Sequence, residues 1–324
     1  MSGLLLRVLH TTMIAVLATV IGCGKSEDDS PRSPLPTPDA KGFRIGVSQV
    51  NLEEPPWVQL NADIKATAEK HADLALVIKD AQDDAIRQRA HVEQFVDAGV
   101  DLIIISPTEI QPLTEPVAKA YQAGIPVIVL DRAVIGNQYT CFIGADNKRI
   151  GKAAGLWLAK KLGGKGGVVE LKGLMTSTPA QDRHSGFREG LKEYPDIDVL
   201  SAPDMQWLED NARKQMESAL ARFHNIDAVF AHSDPAAHGA YQAARAAGRE
   251  KEILFVGIGG LPQEGVAYVA EGILDASFEY PTGGREAIDA ALRVLRGEEV
   301  PRTIVLPSKY FTKENVDRGG EPIQ

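Results

Sequence analysis

Short apolar runs alternate with stretches of helical spacing along most of this chain, and that alternation restricts it to an α/β fold. The runs Phe43 to Val47, Leu74 to Ile78, Leu102 to Ile105 and Val127 to Leu130 are largely continuous in apolar character. Strands with that pattern are covered on both faces, as in a parallel sheet flanked by helices. The stretches between them, approximately Trp57 to His71, Asp84 to Ala98 and Leu113 to Ala123, supply the covering helices. The first half therefore predicts a doubly wound sheet.

After the apolar run Cys141 to Ile143 the pattern starts again. Helices are expected over Asn147 to Leu162, Ala180 to Tyr194, Glu209 to Phe223 and Pro235 to Ala247. Between and after them lie strands at Val168 to Leu171, near Val199, at Ala228 to Ala231 and at Ile253 to Gly257. Gly163-Gly164 and Gly166-Gly167 are expected to end the first of these helices by supplying positive-φ positions. Two similar halves imply a cleft between them. In such sheets ligands bind beyond the carboxyl ends of the strands, so each half would contribute loops to one pocket.

Ahead of this body, Arg7 supplies a positive charge, Thr11 to Ile21 is a short hydrophobic run, and Val20-Ile21-Gly22 places small residues before Cys23. The run falls short of the ~20 residues that span a bilayer, so it reads as an export signal. The string resembles the lipobox of bacterial lipoproteins, which implies cleavage before Cys23 and a lipid on its thiol. The other readings are a signal cut elsewhere, or a buried apolar helix with Cys23 incidental. Residues 1–22 are then a lipoprotein signal peptide and 23–41 the lipidated cysteine with its tether. Pro31, Pro34, Pro36 and Pro38 stand in that tether among polar residues, too few of them apolar to offset the entropy of ordering. The mature protein is expected outside the cytoplasm, reaching a membrane through the anchor alone.

About 280 residues remain, enough for two cores. The formal net charge is −9 with Lys and Arg dispersed, which argues against a phosphate-tracking face and against nucleic acid as a partner. With Cys23 acylated, Cys141 is the one thiol left, so no intrachain disulfide forms; within the run Tyr139 to Ile143 it reads as buried and inert. Gly163 to Gly167 lacks the lysine and hydroxyl of a phosphate loop, no Gly-x-Gly-x-x-Gly follows the first strand, and no Gly-x-Ser-x-Gly elbow is present. His232 and His238 lack a further ligand at metal-site spacing. No enzyme, cofactor or metal is expected.

The strings Gly99-Val100-Asp101-Leu102-Ile103-Ile104-Ile105-Ser106-Pro107 and Gly124-Ile125-Pro126-Val127-Ile128-Val129-Leu130-Asp131-Arg132 resemble the type I periplasmic sugar-binding proteins related to ribose-binding protein. Ser48-Gln49-Val50, Ala145-Asp146-Asn147, Val168-Val169-Glu170-Leu171, Asp182-Arg183 with Gly186-Phe187, and Ala231-His232 are most similar to galactofuranose-binding proteins of ABC importers. The resemblance spans Phe43 to about Tyr310 and implies two doubly wound parallel-sheet lobes joined by a three-segment hinge. The expected lobes are 42–145 with 280–307, and 146–279 with 308–324. It further implies a monomer that closes on a sugar or polyol and delivers it to an ABC transporter permease. The alternative is a sensor that presents the bound solute to a receptor kinase or chemoreceptor. The fold also serves lactose-repressor-type regulators, but here no helix-turn-helix precedes it.

Candidate ligand contacts follow from the same resemblance. Asp131 and Arg132 end a strand, where charge-assisted hydrogen bonds to hydroxyls are available; the same pair could instead cap the next element. Arg183 matches a donor from the second lobe, with a surface salt bridge as its other reading. Trp57 and Trp207 match aromatics that stack on the apolar face of a sugar, unless both are core residues. Trp157, inside an amphipathic helix, reads as core. Glu279 matches a polar hinge residue, or is a solvated acid. Gln49, Ser233 and Asp234 are weaker candidates, since a short polar residue after a strand is often a helix cap. Val58 stands where galactofuranose-binding relatives have arginine, Gly259 where the family has aspartate, and Ser233 where it has asparagine. The segment Asn51 to Pro56 also differs in length. The pocket is therefore expected to be less polar or differently filled, which puts galactofuranose itself in doubt.

Overall fold

The computed structural model describes residues 42–323; the expected signal peptide, Cys23 and the tether lie outside the described residues. In chain order the first elements are β1 (Phe43–Gln49), α1 (Pro55–Ala68), β2 (Leu74–Asp80), α2 (Ala85–Asp97), β3 (Leu102–Ile105), α3 (Ile110–Gln122), β4 (Val127–Leu130) and β5 (Cys141–Ala145). There follow α4 (Asn147–Lys161), β6 (Lys165–Leu171), α5 (Thr178–Leu191), β7 (Asp196–Ser201), α6 (Glu209–Arg222) and β8 (Ala228–Ala231). The second series ends with α7 (Asp234–Ala246), β9 (Leu254–Gly259), α8 (Gly265–Glu271) and β10 (Ala276–Glu279). Last come α9 (Gly284–Leu295), β11 (Thr303–Leu306), β12 (Lys309–Thr312) and β13 (Glu321–Pro322).

These strands build two sheets, ordered β11-β5-β4-β3-β1-β2 and β13-β12-β10-β9-β8-β6-β7. The first is parallel throughout, and the second is parallel from β7 to β10, with β12 and β13 added antiparallel. The protein is thus a bilobed α/β fold with two parallel-sheet lobes. Within each, strand order reverses beside the first strand of the series, at β1/β3 and at β6/β8, which opens a crevice past the strands' carboxyl ends. The chain passes between sheets three times, after β5, after β10 and after β11.

The continuous apolar runs have the expected cause. Ile103, Ile104 and Ile105 of β3 are all fully buried. Ile104 packs with α1 and α9 through Leu60, Ile64 and Ile288, while Ile103 and Ile105 pack with α2 and α3 through Phe95, Leu113 and Val117. Each such side chain contributes about 1.5–3 kcal/mol relative to exposure. The second sheet is sandwiched likewise, with Met216 and Ala240 on one face and Ile150 and Phe187 on the other. Helix starts are set locally: Asp84 accepts from the Ile86 and Arg87 N–H groups, Asp146 from Arg149, and Ser233 from Ala236.

Glycines let α4 and α5 approach at backbone distance. A Cβ built on Gly186 would lie 2.0 Å from the Lys148 carbonyl oxygen, and one on Gly151 2.3 Å from that of Arg183. Gly163 and Gly164 have positive φ after α4, as expected. Gly166 and Gly167 do not terminate that helix; they lie inside β6, where a Cβ on Gly167 would meet the Asn225 carbonyl oxygen at 2.1 Å. Close packing, not turn geometry, calls for glycine at that second position.

Candidate functional site

Loops from both sheets enclose a cavity of about 340 Å³ past the strands' carboxyl ends. Six of the nine residues expected from the sequence line it: Trp57, Asp131, Arg132, Arg183, Trp207 and Ser233. Trp57 sits in the first turn of α1, whose start is set by Pro55 and Pro56. Asp131 follows β4 in the left-handed region at φ +67°, its N–H held by the Ile143 carbonyl at 2.8 Å. Such a conformation persists in a non-glycine residue where its surroundings impose it. Trp207 lies between β7 and α6, also left-handed at φ +67° after Gln206 at φ +55°.

The polar groups are ordered by one another. Arg132 Nη1 donates to the Thr108 carbonyl at 2.9 Å, and Nε lies 3.6 Å from Asp131 Oδ2. Arg183 Nε donates to Asn147 Oδ1 at 2.8 Å and Nη1 to the His232 carbonyl at 2.5 Å. The Tyr280 hydroxyl donates to Asp131 Oδ1. Rings and guanidiniums interleave: Arg132 lies 5.2 Å from the Trp57 ring and 5.9 Å from Trp207, and Arg183 lies 5.4 Å from Trp207 and 4.7 Å from Tyr280. These cation–π contacts hold both arginines without consuming all their donors. Burial pushes the Asp131 carboxyl up, opposed by Arg132 and the Tyr280 hydroxyl. Burial likewise lowers Arg183, opposed by Tyr280 and Asp131, from a starting value so high that it stays charged.

Loops of the two sheets also touch directly. The Ala133 N–H donates to Thr178 Oγ1 at 2.9 Å and the Ile110 N–H to the Thr176 carbonyl at 3.2 Å. The cleft is therefore closed along this side.

Three expected residues do not line the cavity. Gln49 is fully buried, with neither amide atom hydrogen-bonded. Asp234 turns inward, where its carboxylate accepts from the Ser277 hydroxyl at 2.9 Å and the Gly260 N–H at 2.7 Å. It fills a glycine cradle: a Cβ on Gly257, Gly259 or Gly265 would come within 2.5 Å of a carboxylate oxygen. No side chain fits at Gly259 unless Asp234 moves. Glu279 pairs instead with Lys309 at 3.9 Å. Val58 is exposed and stands outside the cavity lining. Tyr280, Glu264 and Thr282 line the cavity and were not singled out from the sequence; the place of Tyr280 and Thr282 directly after β10, at a strand's carboxyl end, is the signal that could have found two of them.

Glu54, Glu209 and Glu264 also border the cavity, with Glu209 Oε1 2.7 Å from His238 Nδ1. Burial pushes Glu264 up to about 7, aided by the charges of Asp234, Glu209 and Glu54. Between the ordinary carboxyl value and about 7 the folded protein binds the extra proton, so Glu264 lowers stability as pH rises through that window. Relative to Glu264→Gln, the wild type should gain melting temperature on acidification from pH ~7.5 to ~5. Parallel melting curves for the two proteins across that range would refute this.

Among the described residues no cluster of three or more His, Cys, Asp or Glu side chains is arranged to hold a metal ion. Cys141 is buried and its thiol pushed up to about 11 by burial, which disfavours the reactive thiolate. What the arrangement offers is reversible binding: two aromatic faces, charged donors and acceptors, and a boundary between two bodies.

Comparison with known proteins agrees with this geometry. A family profile described as "Periplasmic binding protein domain" matches residues 45–299. Galactofuranose-binding protein YtfQ of Escherichia coli (strain K12) is 34% identical over 279 residues, covering 82% of this chain and 86% of that protein. Ribose import binding protein RbsB of Bacillus subtilis (strain 168) is 31% identical over 276 residues, covering 85% and 88%. Among solved structures, the fructose-binding periplasmic domain of a hybrid two-component system is 42% identical, with a TM-score of 0.83, covering 86% of this chain and 93% of that one.

Proposed function

This chain belongs to the periplasmic binding protein domain family, among its type I sugar-binding members, and from that premise we propose that it captures a monosaccharide or small polyol by lobe closure and delivers it to an ABC importer. It is an extracytoplasmic solute-binding protein. The observation that carries the ligand class is the meeting of Trp57 from one lobe and Trp207 from the other around Asp131, Arg132 and Arg183. Flat rings bury the C–H faces of a sugar while charged groups take its hydroxyls. The indole N–H of Trp207, buried without a partner, is one more donor for a hydroxyl. The absence of a side chain at Gly259 and the inward turn of Asp234 favour a ligand different from galactofuranose.

In this reading the lobes are residues 42–145 with 280–307 and 146–279 with 308–324, and ligand shifts a monomer from open to closed because only the closed form offers both walls. The 42% identity to the periplasmic domain of a hybrid two-component system supports a second reading, in which the closed form is presented to a receptor kinase. The test is a thermal-shift and calorimetric screen of D-fructose, D-galactose, D-ribose and xylitol. A ligand of the folded state raises the unfolding midpoint, and micromolar affinity corresponds to about −8 kcal/mol. No stabilisation and no heat from any of a broad carbohydrate panel would overturn the reading.

Anchoring belongs to the same proposal. Cys23→Ser should abolish incorporation of a fatty-acid analogue, because the thiol is the acylation site. Labelling that persists in the variant would place the lipid elsewhere and remove the argument for the anchor.

A further inference from the structure

Behind the cleft wall of the second lobe lies a buried polar relay. Glu170 of β6 is fully buried, yet its carboxylate is fully paired. His184 Nδ1 lies 2.8 Å and His232 Nε2 3.2 Å from Oε1, while Arg188 Nε and Nη2 donate to Oε2 at 3.1 and 3.0 Å. A buried charge is tolerated only when its partners are this complete. Although burial alone would raise Glu170, the hydrogen bonds from His232 and His184 hold it below the ordinary range.

His232 follows β8, and its Nδ1 lies 3.2 Å from the Gly173 N–H. A ring nitrogen that accepts carries no proton, so the ring proton sits on Nε2 and is donated to Glu170. The two neighbours thus select one neutral tautomer. Burial pushes His232 down to about 4, which keeps that neutral form at ordinary pH.

Two cleft groups rest on this histidine. A Cβ built on Gly173 would lie 2.3 Å from the Trp207 ring, so the ring packs flush on the Gly173 backbone. Trp207 and Gln206 both occupy the left-handed region, strain that something must hold in place. The other group is Arg183, whose Nη1 donates to the His232 carbonyl. Neither Glu170 nor His232 lines the cavity.

We propose that Glu170 and His232 are positioning residues for the ligand site: through the Gly173 N–H they seat the backbone on which Trp207 packs, and through the His232 carbonyl they aim Arg183. The proposal rests on the reading of this cleft as the sugar site. Two variants separate the halves of the histidine's role. In His232→Asn the side-chain oxygen replaces Nδ1 and still accepts from Gly173, but the side chain is too short to reach Glu170. In His232→Gln the amide nitrogen replaces Nε2 and still reaches Glu170, but no acceptor remains for Gly173.

The experiment compares both variants and Glu170→Gln, which keeps an acceptor for His232, as purified full chains titrated with the sugar that binds in the panel above. His232→Gln should weaken binding about tenfold or more, because the hydrogen bond that seats Gly173 is lost outright; His232→Asn, which keeps that bond but loses its orientation by Glu170, should weaken it about threefold, and Glu170→Gln, which keeps an acceptor for His232, by less. Wild-type affinity in His232→Asn would remove Glu170 from the positioning role. The Gly173 amide proton, followed by NMR without ligand, should move upfield and exchange faster in His232→Gln alone. Equal losses of affinity in the asparagine and glutamine variants, or a Gly173 amide unchanged in His232→Gln, would overturn the proposal. If no sugar binds the wild type, the functional reading fails by itself, and the Gly173 amide still decides the positioning claim.

Discussion

Arg183→Ala should weaken sugar binding by roughly 100-fold, about 3 kcal/mol, the scale of losing charged hydrogen bonds in a desolvated site. The same change should lower the stability of the unliganded protein. Arg183 is 5% exposed, and its removal orphans Asn147 Oδ1 and the His232 carbonyl, takes the cation from the Tyr280 ring and leaves the Trp207 ring with Arg132 alone. Arg183→Lys should not rescue affinity, because an ammonium cannot serve Asn147, the His232 carbonyl and a ligand with one planar fork. Calorimetry with the bound sugar, alongside thermal unfolding of the unliganded protein, checks both effects. Wild-type affinity in the alanine variant would remove Arg183 from the site.

Gly186→Ala should destabilise the fold by about 3 kcal/mol, a fall of ~6 to 12 °C in Tm, at the upper end of overpacking costs. Its new methyl group would sit 2.0 Å from the Lys148 carbonyl oxygen and 2.9 Å from the Lys152 nitrogen, both backbone atoms, so the helices α4 and α5 must part. Because α5 carries Arg183 and α4 carries its partner Asn147, sugar affinity should fall with stability. Gly248→Ala is the control. It has positive φ but nothing within 4 Å of the added carbon, so it should cost only the left-handed strain, about 1 kcal/mol. Equal melting temperatures for the two variants would contradict the close-packing argument.

Much of the site was legible because its residues stand at strand ends. Asp131 and Arg132 follow the apolar run Val127–Leu130, and in a doubly wound sheet that position opens on the crevice. Trp57 and Trp207 were legible from the resemblance and from their place at loop-to-helix boundaries rather than mid-helix, although Trp207 and the preceding Gln206 are left-handed residues that no local motif announces. Asp234 shows the limit. It and Ser233 are neighbours after β8, yet Ser233 faces the cleft and Asp234 a cradle made by Gly257, Gly259 and Gly265. The dense glycines from Gly257 to Gly265 signal a close approach, but not by which side chain. Tyr280 was missed because its partner Asp131 is 149 residues away in sequence.

The sequence by itself determined the alternation of strands and helices, the helix starts at Asp84, Asp146 and Ser233, and the doubly wound class. All of these depend on residues within a turn or two of one another, through backbone periodicity and capping. Only the tertiary structure decided which polar side chains turn into the cleft and which turn behind it. It also decided that α4 and α5 meet at backbone distance and that Glu170 reaches Trp207 through His232 and Gly173. Those outcomes follow from burial and pairing among groups far apart in the chain, where the cost of an unpaired charge or an overlapping atom is set by neighbours that local sequence does not specify.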